Sequence, residues 1–328
     1  VELGSYLQHG NHIKTKESKE NLDIRYMKMI KTVKWGIVMT LLWANTATSQ
    51  AQSIDSALLL KDLKTLSGPE FEGRKPGTKG HEKALNYMVD RFKSLGLKSF
   101  SPDFLHTFKI NDSLGGKNII AYIPGKKPGY IVISAHYDHV GIRNDQIYYG
   151  ADDNASGAVS LLAMAAYFMK NPPQYTLVFA SFDAEEMGLR GARAFVENPP
   201  IPLDSMVVLL NLDMVSRNDQ NRLIAAGTYH TPTLIPYIKN SAKNVTLHTG
   251  YDVPGTGRND WTNQSDQGPF HRAGIPWIYF GVEDHPDYHT PRDTFENIQP
   301  SFFYQAVESI LAVTKEIDAT FVRPKKEN

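Results

Sequence analysis

The stretch Tyr130-Ile-Val-Ile-Ser-Ala-His136-Tyr-Asp138 decides the reading of the fold. It opens as a near-continuous apolar run with no polar alternation, which is how a strand reads when both faces of its sheet are covered. The run then stops on two chemically capable side chains, His136 and Asp138. Three further segments repeat the arrangement. Tyr175-Thr-Leu-Val-Phe-Ala-Ser-Phe182 leads into Asp183-Ala-Glu185-Glu186, and Met206-Val-Val-Leu-Leu-Asn-Leu212 leads into Asp213. Ile275-Pro-Trp-Ile-Tyr-Phe280 is followed by Glu283-Asp-His-Pro-Asp-Tyr-His289. Helical patterns separate these runs, at Gly157–Met169, Gly188–Asn198 and Pro232–Ala242, and Ser301–Phe321 closes the chain as a long helix.

Working outward, Asn118–Ile123 is a further strand. Residues 53–66 have helical periodicity behind a Ser cap, Ser67–Gly80 is a loop punctuated by Gly and Pro, and Gly80–Leu95 is a second amphipathic helix. Strands alternating with helices give an α/β fold. The expectation is a single domain over residues 53–322, with a central, mostly parallel mixed sheet flanked by helices on both faces. In open sheets of this kind, ligands bind beyond the carboxyl ends of the strands. Four separate strands here deliver carboxylates or imidazoles to that edge.

The bulk composition narrows the chemistry. Lys plus Arg is 35 and Asp plus Glu is 35, so no global field draws the chain to nucleic acid or to an anionic membrane. Cysteine is absent, which excludes disulfides, thiolate metal sites and a cysteine nucleophile. A metal would have to use His, Asp and Glu.

The amino-terminal region reads as processing. Lys28, Lys31 and Lys34 precede the short apolar run Trp35–Ala44, and Ser49-Gln50-Ala51 follows with small residues where a signal peptidase cuts. Residues 27–51 are expected to be a signal peptide starting at Met27 or Met29. Residues 1–26 are expected to be a leader outside the fold, and the mature chain to begin near Gln52. The bland alternative is a buried or amphipathic first helix. The run is too short for a stable membrane anchor, so the expected destination is the periplasm or the extracellular medium.

A hydrolytic two-metal site needs oxygen and imidazole ligands, a carboxylate bridging ions about 3.5–4 Å apart, and a free carboxylate to move the proton of an activated water. Adjacent carboxylates at a strand end can divide the last two tasks, and Glu185-Glu186 fits that division. Taken singly, a Glu-Glu pair is usually solvated and a His-x-Asp is usually structural. Their joint placement at strand ends is what carries weight. By composition alone, Asp152 and Asp153 are equal candidates for the bridge.

Five ordered motifs resemble the M28 family of zinc peptidases. They are His136-x-Asp138, Gly150-Ala-Asp-Asp153-Asn-Ala-Ser-Gly157, Asp183-Ala-Glu-Glu186-x-Gly188, Asn211-Leu-Asp213 and Tyr288-His289-Thr-x-x-Asp293. The resemblance covers residues 55–320. It implies the zinc-exopeptidase variant of the α/β fold and two zinc ions, or one. It assigns His136 and Asp213 to one zinc, Glu186 and His289 to the other, and Asp153 to the bridge. Glu185 would be the general base, Asp138 would orient His136, and Tyr288 would hydrogen-bond the oxyanion. Mn or Co could use the same ligands.

Other residues stay open. His139 and His285 lie near these motifs and read as structural groups or substrate contacts. Asp293 reads as a loop-orienting group. Glu72-Gly-Arg74 with Gly77-Thr-x-Gly80 resembles a structural family loop. Ser265-Asp266-Gln267-Gly-Pro-Phe270 resembles the family's Ser-Asp-His-x-x-Phe stretch, with Gln267 in place of His.

The expected function is peptide-bond hydrolysis, foremost as an aminopeptidase, with Glu283, Asp284 and Asp287 as candidate partners for a substrate ammonium. A carboxypeptidase would need convergent arginines, and Arg217, Arg258 and Arg292 show no convergent spacing. The alternative is a single-zinc glutaminyl-peptide cyclotransferase. Tyr288, where that group carries Trp, speaks against it, whereas Trp261 and Trp277 could line a cyclase-like pocket. A non-catalytic receptor-like module ranks last, because all the ligand positions and Glu185 are present.

Overall fold

The computed structural model describes residues 53–241 and 245–324. The signal-peptide and leader expectations fall on residues outside these. No helix among the described residues is long and apolar enough to cross a membrane.

An eight-stranded sheet forms the centre. In chain order its strands are β1 (Leu105–Lys109), β2 (Gly115–Ile123), β3 (Tyr130–His136), β6 (Thr176–Phe182), β7 (Met206–Asp213), β8 (Arg222–Ala226), β9 (Thr246–Thr249) and β10 (Trp277–Gly281). The intervening β4 (Gly141–Arg143) and β5 (Gln146–Tyr148) make a separate hairpin. The spatial order is β1-β2-β6-β3-β7-β10-β8-β9. The four central strands β6, β3, β7 and β10 run parallel, and β2 and β8 join them antiparallel. These four are the apolar runs read from the sequence. β1, β8, β9 and the β4–β5 hairpin were not anticipated. Edge strands such as β1 and β9 alternate half-buried with exposed residues and carry a weak apolar signal.

Register explains why the strand-end groups converge. His136 at the end of β3 pairs with Phe182, the last residue of β6 before Asp183. Asp213 at the end of β7 pairs with Gly281 at the end of β10. The parallel strands therefore finish nearly level, and each hands its next residues to the same edge.

Among the described residues, seven α-helices cover the sheet: α1 (Ser56–Leu66), α2 (Lys79–Ser94), α3 (Gly157–Lys170), α4 (Arg190–Glu197), α5 (Ile235–Ser241), α6 (Gln267–Arg272) and α7 (Pro300–Thr320). Side chains alternate across the central strands. Ile131 and Ile133 belong to the larger apolar layer with Leu63, Phe92, Leu161 and Ile310 of α1, α2, α3 and α7. Val132 belongs to the smaller layer with Phe195 of α4 and Phe270 of α6. Asp55, not a serine, caps α1, accepting from the Leu58 N–H at 3.0 Å. Asp sits at this position because its short carboxylate reaches the orphan amides of the first turn.

Candidate metal centre

The carboxyl end of β3 supplies the first group. His136 is buried, and its Nε2 lies 3.3 Å from Asp213 Oδ1 and 3.4 Å from Asp153 Oδ1. Its Nδ1 is 3.2 Å from the Asp138 carbonyl, while the Asp138 carboxylate stands off at 3.6 Å. That carboxylate instead accepts the backbone N–H groups of Glu185 (3.0 Å) and Glu186 (3.3 Å). Asp138 thus fixes the Glu-Glu pair at the end of β6 more directly than it orients His136.

Asp153 lies in the turn between β5 and α3. Gly150 opens that turn at φ 58°, and a Cβ there would meet the Asp153 carbonyl at 2.1 Å, so only glycine fits. Asp293 holds the turn from outside, its carboxylate accepting the N–H of Asp152 at 2.9 Å and of Asp153 at 3.0 Å. Burial pushes the Asp293 carboxyl up to about 6, as does the neighbouring Asp152, against the pull of those two amides. One Asp153 oxygen faces His136, and the other lies 2.9 Å from His289 Nε2. Asp152 points elsewhere: Oδ1 accepts from the Ser216 N–H and hydroxyl, each at 2.7 Å, and Oδ2 lies 3.2 Å from His285 Nε2. The two carboxylates left equal by composition are therefore separated by geometry.

Glu186 Oε1 lies 3.2 Å from His289 Nε2 and 2.9 Å from His139 Nδ1. Two groups of ligand-capable atoms result, each within 4.8 Å: His136, Asp153 and Asp213, and His139, Asp153, Glu186 and His289. Asp153 is common to both. His139 is the member that sequence reasoning read as structural or substrate-touching. It is fully buried, and its Nε2 has no hydrogen-bond partner among the described residues. Its adjacency to His136-x-Asp138 was the available signal.

The electrostatics describe a site crowded with negative charge. Burial drives the Glu185 carboxyl well above its usual range; His136 opposes this, and Asp266, Asp213 and Asp138 reinforce it. Burial pulls the His289 imidazole down, but Asp153 and Glu186 outweigh it and raise it to about 10. Burial likewise disfavours charged His136, yet Asp213, Glu185 and Asp138 hold it well above its normal value. Glu186 resists its own burial through hydrogen bonds to His139 and His289 and stays well below the usual carboxylate range. Asp266 is buried with neither carboxylate oxygen hydrogen-bonded among the described residues, and desolvation pushes it up to about 8. Carboxylates and imidazoles packed this closely are the donor set of a hard or borderline divalent cation, whose charge would relieve their repulsion.

Supporting contacts come from several elements. Ser265 donates to Asp213 Oδ2 at 2.6 Å, and Tyr279 donates to the Asp213 carbonyl at 3.0 Å. Gln267 accepts from Asn211 at 3.2 Å and donates to the Trp261 carbonyl at 2.5 Å, so the residue replacing histidine ties β7 to a wall of the cavity. Arg74 is fully buried and donates to the carbonyls of Leu66, Tyr137, Tyr149 and Gly150. Desolvation lowers its guanidinium to about 10, with Asp153 and Asp293 opposing. It clamps the loop that follows His136 to the turn that presents Asp153.

The cavity above the cluster is about 440 Å³. Tyr251, Trp261 and Tyr279 line it, with Trp261 packed against both tyrosines at 4.4 and 5.4 Å between ring centres. Tyr288 lines it as well and stacks on His289 at 4.0 Å. Burial raises the Tyr288 phenol, and Asp153, Asp213 and Glu186 raise it further, so it stays a donor. Of the acidic residues proposed for an ammonium, Asp287 pairs with Arg217 and Arg292. Glu283 pairs with Arg222 and accepts from Tyr251. Asp284 lines the cavity.

Comparison with known proteins follows the same lines. Residues 118–314 match the sequence pattern of Peptidase family M28. Aminopeptidase YwaD of Bacillus subtilis (strain 168) is 30% identical over 210 residues, 61% of this chain and 44% of that protein. The chain thus spans less than half the length of that relative. BSAP, a zinc aminopeptidase from Bacillus subtilis, is a solved structure 27% identical, with a TM-score of 0.53 over 66% of this chain and 53% of its own. Porphyromonas gingivalis glutaminyl cyclase superposes with a TM-score of 0.67 at 20% identity, covering 80% of this chain and 98% of its own, a likeness of fold.

Proposed function

The chain belongs to peptidase family M28, and from that membership we propose that it is an exported, zinc-dependent aminopeptidase. The observation that carries the proposal is Asp153, whose two oxygens face His136 on one side and His289 on the other. In this reading His136 and Asp213 would hold one zinc, Glu186 and His289 would hold the other, and Asp153 would serve both. The donor set fits, since each group combines imidazole nitrogen with carboxylate oxygen and no thiolate. When bound, the metal supplies Lewis acidity to the scissile carbonyl and lowers the pKa of a water.

The remaining roles fall to the chain itself. Glu185 takes the proton of the attacking water and delivers it to the leaving amine. Its backbone is anchored by Asp138, which leaves the carboxylate to face the cavity it lines. Tyr288 donates its phenolic hydrogen to the oxygen that becomes negative as the carbonyl is attacked. Export rests on the lysine-flanked apolar run Trp35–Ala44.

A second reading, glutaminyl-peptide cyclisation, draws on the fold likeness to the cyclase and on the aromatic wall of the cavity. A panel of amino-acyl chromogenic substrates and amino-terminal glutamine peptides, with and without a chelator, separates the two. Chelator-sensitive release of amino-terminal residues, with about two zinc ions per chain, supports the aminopeptidase. One zinc and turnover confined to amino-terminal glutamine peptides would replace it by the cyclase. Glu185→Gln is expected to retain metal while kcat falls by about 10²–10⁴-fold; undiminished turnover removes Glu185 from the role of base.

A further inference from the structure

The cavity wall carries charges that the ligand cluster does not use. Among the arginines, Arg217 and Arg292 are consumed by Asp287, and Arg222 by Glu283. Arg258 lines the cavity, is exposed, and has no ion pair among the described residues. Its backbone is nonetheless held. Its carbonyl accepts from Trp261 Nε1 at 3.1 Å and from Gln264 Nε2 at 3.3 Å. Trp261 is in turn held by Gln267, which is tied to Asn211 two residues before Asp213. The guanidinium therefore springs from a stem fixed to the floor of the site while its head stays available. Asp284 is the counterpart, a cavity-lining carboxylate with no ion pair among the described residues.

We propose that Arg258 receives the α-carboxylate of a short peptide, so that the preferred substrates are unblocked di- and tripeptides. This rests on the aminopeptidase reading above and adds the substrate class. The α-carboxylate of a long chain lies beyond the reach of Arg258. A short peptide is a zwitterion, and its ends meet opposite charges in the same cavity: the ammonium the acidic wall with Asp284, the carboxylate Arg258. Among the cavity-lining side chains without an ion pair among the described residues, Asp284 repels a carboxylate and Arg258 attracts one. A planar guanidinium binds a carboxylate through two parallel N–H donors, which a diffuse positive potential does not reproduce. One arginine of this kind also accounts for the lack of a convergent cluster in the sequence. The carboxylate is anchored beyond the scissile bond, and residues leave from the amino end.

The test compares di- and tripeptides as free acids and as carboxyl-terminal amides, using the zinc-loaded enzyme and its Arg258→Gln and Arg258→Lys variants. Unfolding midpoints serve as the folding control. The wild-type enzyme is expected to favour the acid by about five- to tenfold in kcat/KM, chiefly through KM. The acid-to-amide ratio should fall near one in Arg258→Gln and recover in part in Arg258→Lys. Equal turnover of acid and amide by the wild type overturns the assignment, as does a preference that persists in Arg258→Gln. Release of the carboxyl-terminal residue with an intact amino-terminal dipeptide from the tripeptides, or no turnover of either form, overturns the aminopeptidase reading itself.

Discussion

Replacing Arg74 by methionine removes a clamp that touches neither substrate nor the proposed metals. The guanidinium makes four hydrogen bonds to main-chain carbonyls, at 2.9 Å (Tyr137), 3.1 Å (Leu66), 2.7 Å (Tyr149) and 2.8 Å (Gly150). Each buried carbonyl left without a donor costs about 1–3 kcal/mol if nothing relaxes. Burying the charge carries its own desolvation cost, which the methionine variant no longer bears. Three carbonyls lose their donor, since that of Gly150 keeps the Ala155 N–H; at about 1–3 kcal/mol each, less the relieved desolvation of the charge, the balance is a loss of about 3–5 kcal/mol. Against a total stability of about 5–15 kcal/mol, that leaves a folded but weakened protein. The loss falls where Tyr137 adjoins His136 and where Gly150 opens the turn of Asp153, so zinc affinity should drop with stability. Arg74→Lys keeps the charge but not the planar fork, and should recover only part of both. Urea unfolding of the metal-free protein, together with zinc titration, measures the two effects separately. A loss under about 1 kcal/mol in Arg74→Met would refute the clamp, because the carbonyls of Tyr137, Leu66 and Tyr149 would lose their side-chain donor, while only that of Gly150 keeps one, the Ala155 N–H at 3.2 Å.

Two further outcomes follow from the cluster. His139→Ala should weaken zinc binding by about 10–100-fold, because His139 Nδ1 is the nearest imidazole to Glu186 Oε1, at 2.9 Å; unchanged affinity by competition with a chromogenic chelator would return His139 to a packing role. Tyr288→Phe should lower kcat by about 10²-fold with little change in KM, since the phenol is assigned a bond that strengthens only as the carbonyl is attacked; an effect confined to KM would make Tyr288 a binding contact instead.

The central strands and four of the candidate site residues could be read without coordinates for a single physical reason. A parallel strand buried on both faces is a long apolar run, and the chemistry in this fold begins where that run ends. His136, Glu185, Glu186 and Asp213 each stand at such a boundary, so local sequence marked them. Asp153 and His289 sit in turns away from strand ends, and it was the resemblance of their motifs to family M28 that singled them out. The edge strands escaped notice because half-exposed pairing leaves little apolar signature: β1 shows no fully buried residue.

What the tertiary structure alone decided concerns pairing. Glu283, Asp287, Arg217 and Arg292 looked equally available along the chain. Folding brings Asp287 against two of the arginines and Glu283 against Arg222, which is not adjacent to it in sequence. The same holds for Asp152 and Asp153, neighbours of one chemical type that turn to different partners. Whether a charge is spent on the scaffold or left facing the cavity depends on residues tens of positions away. That choice separates Arg258 and Asp284 from their look-alikes, and it places His139 among the candidate ligands of the proposed zinc site.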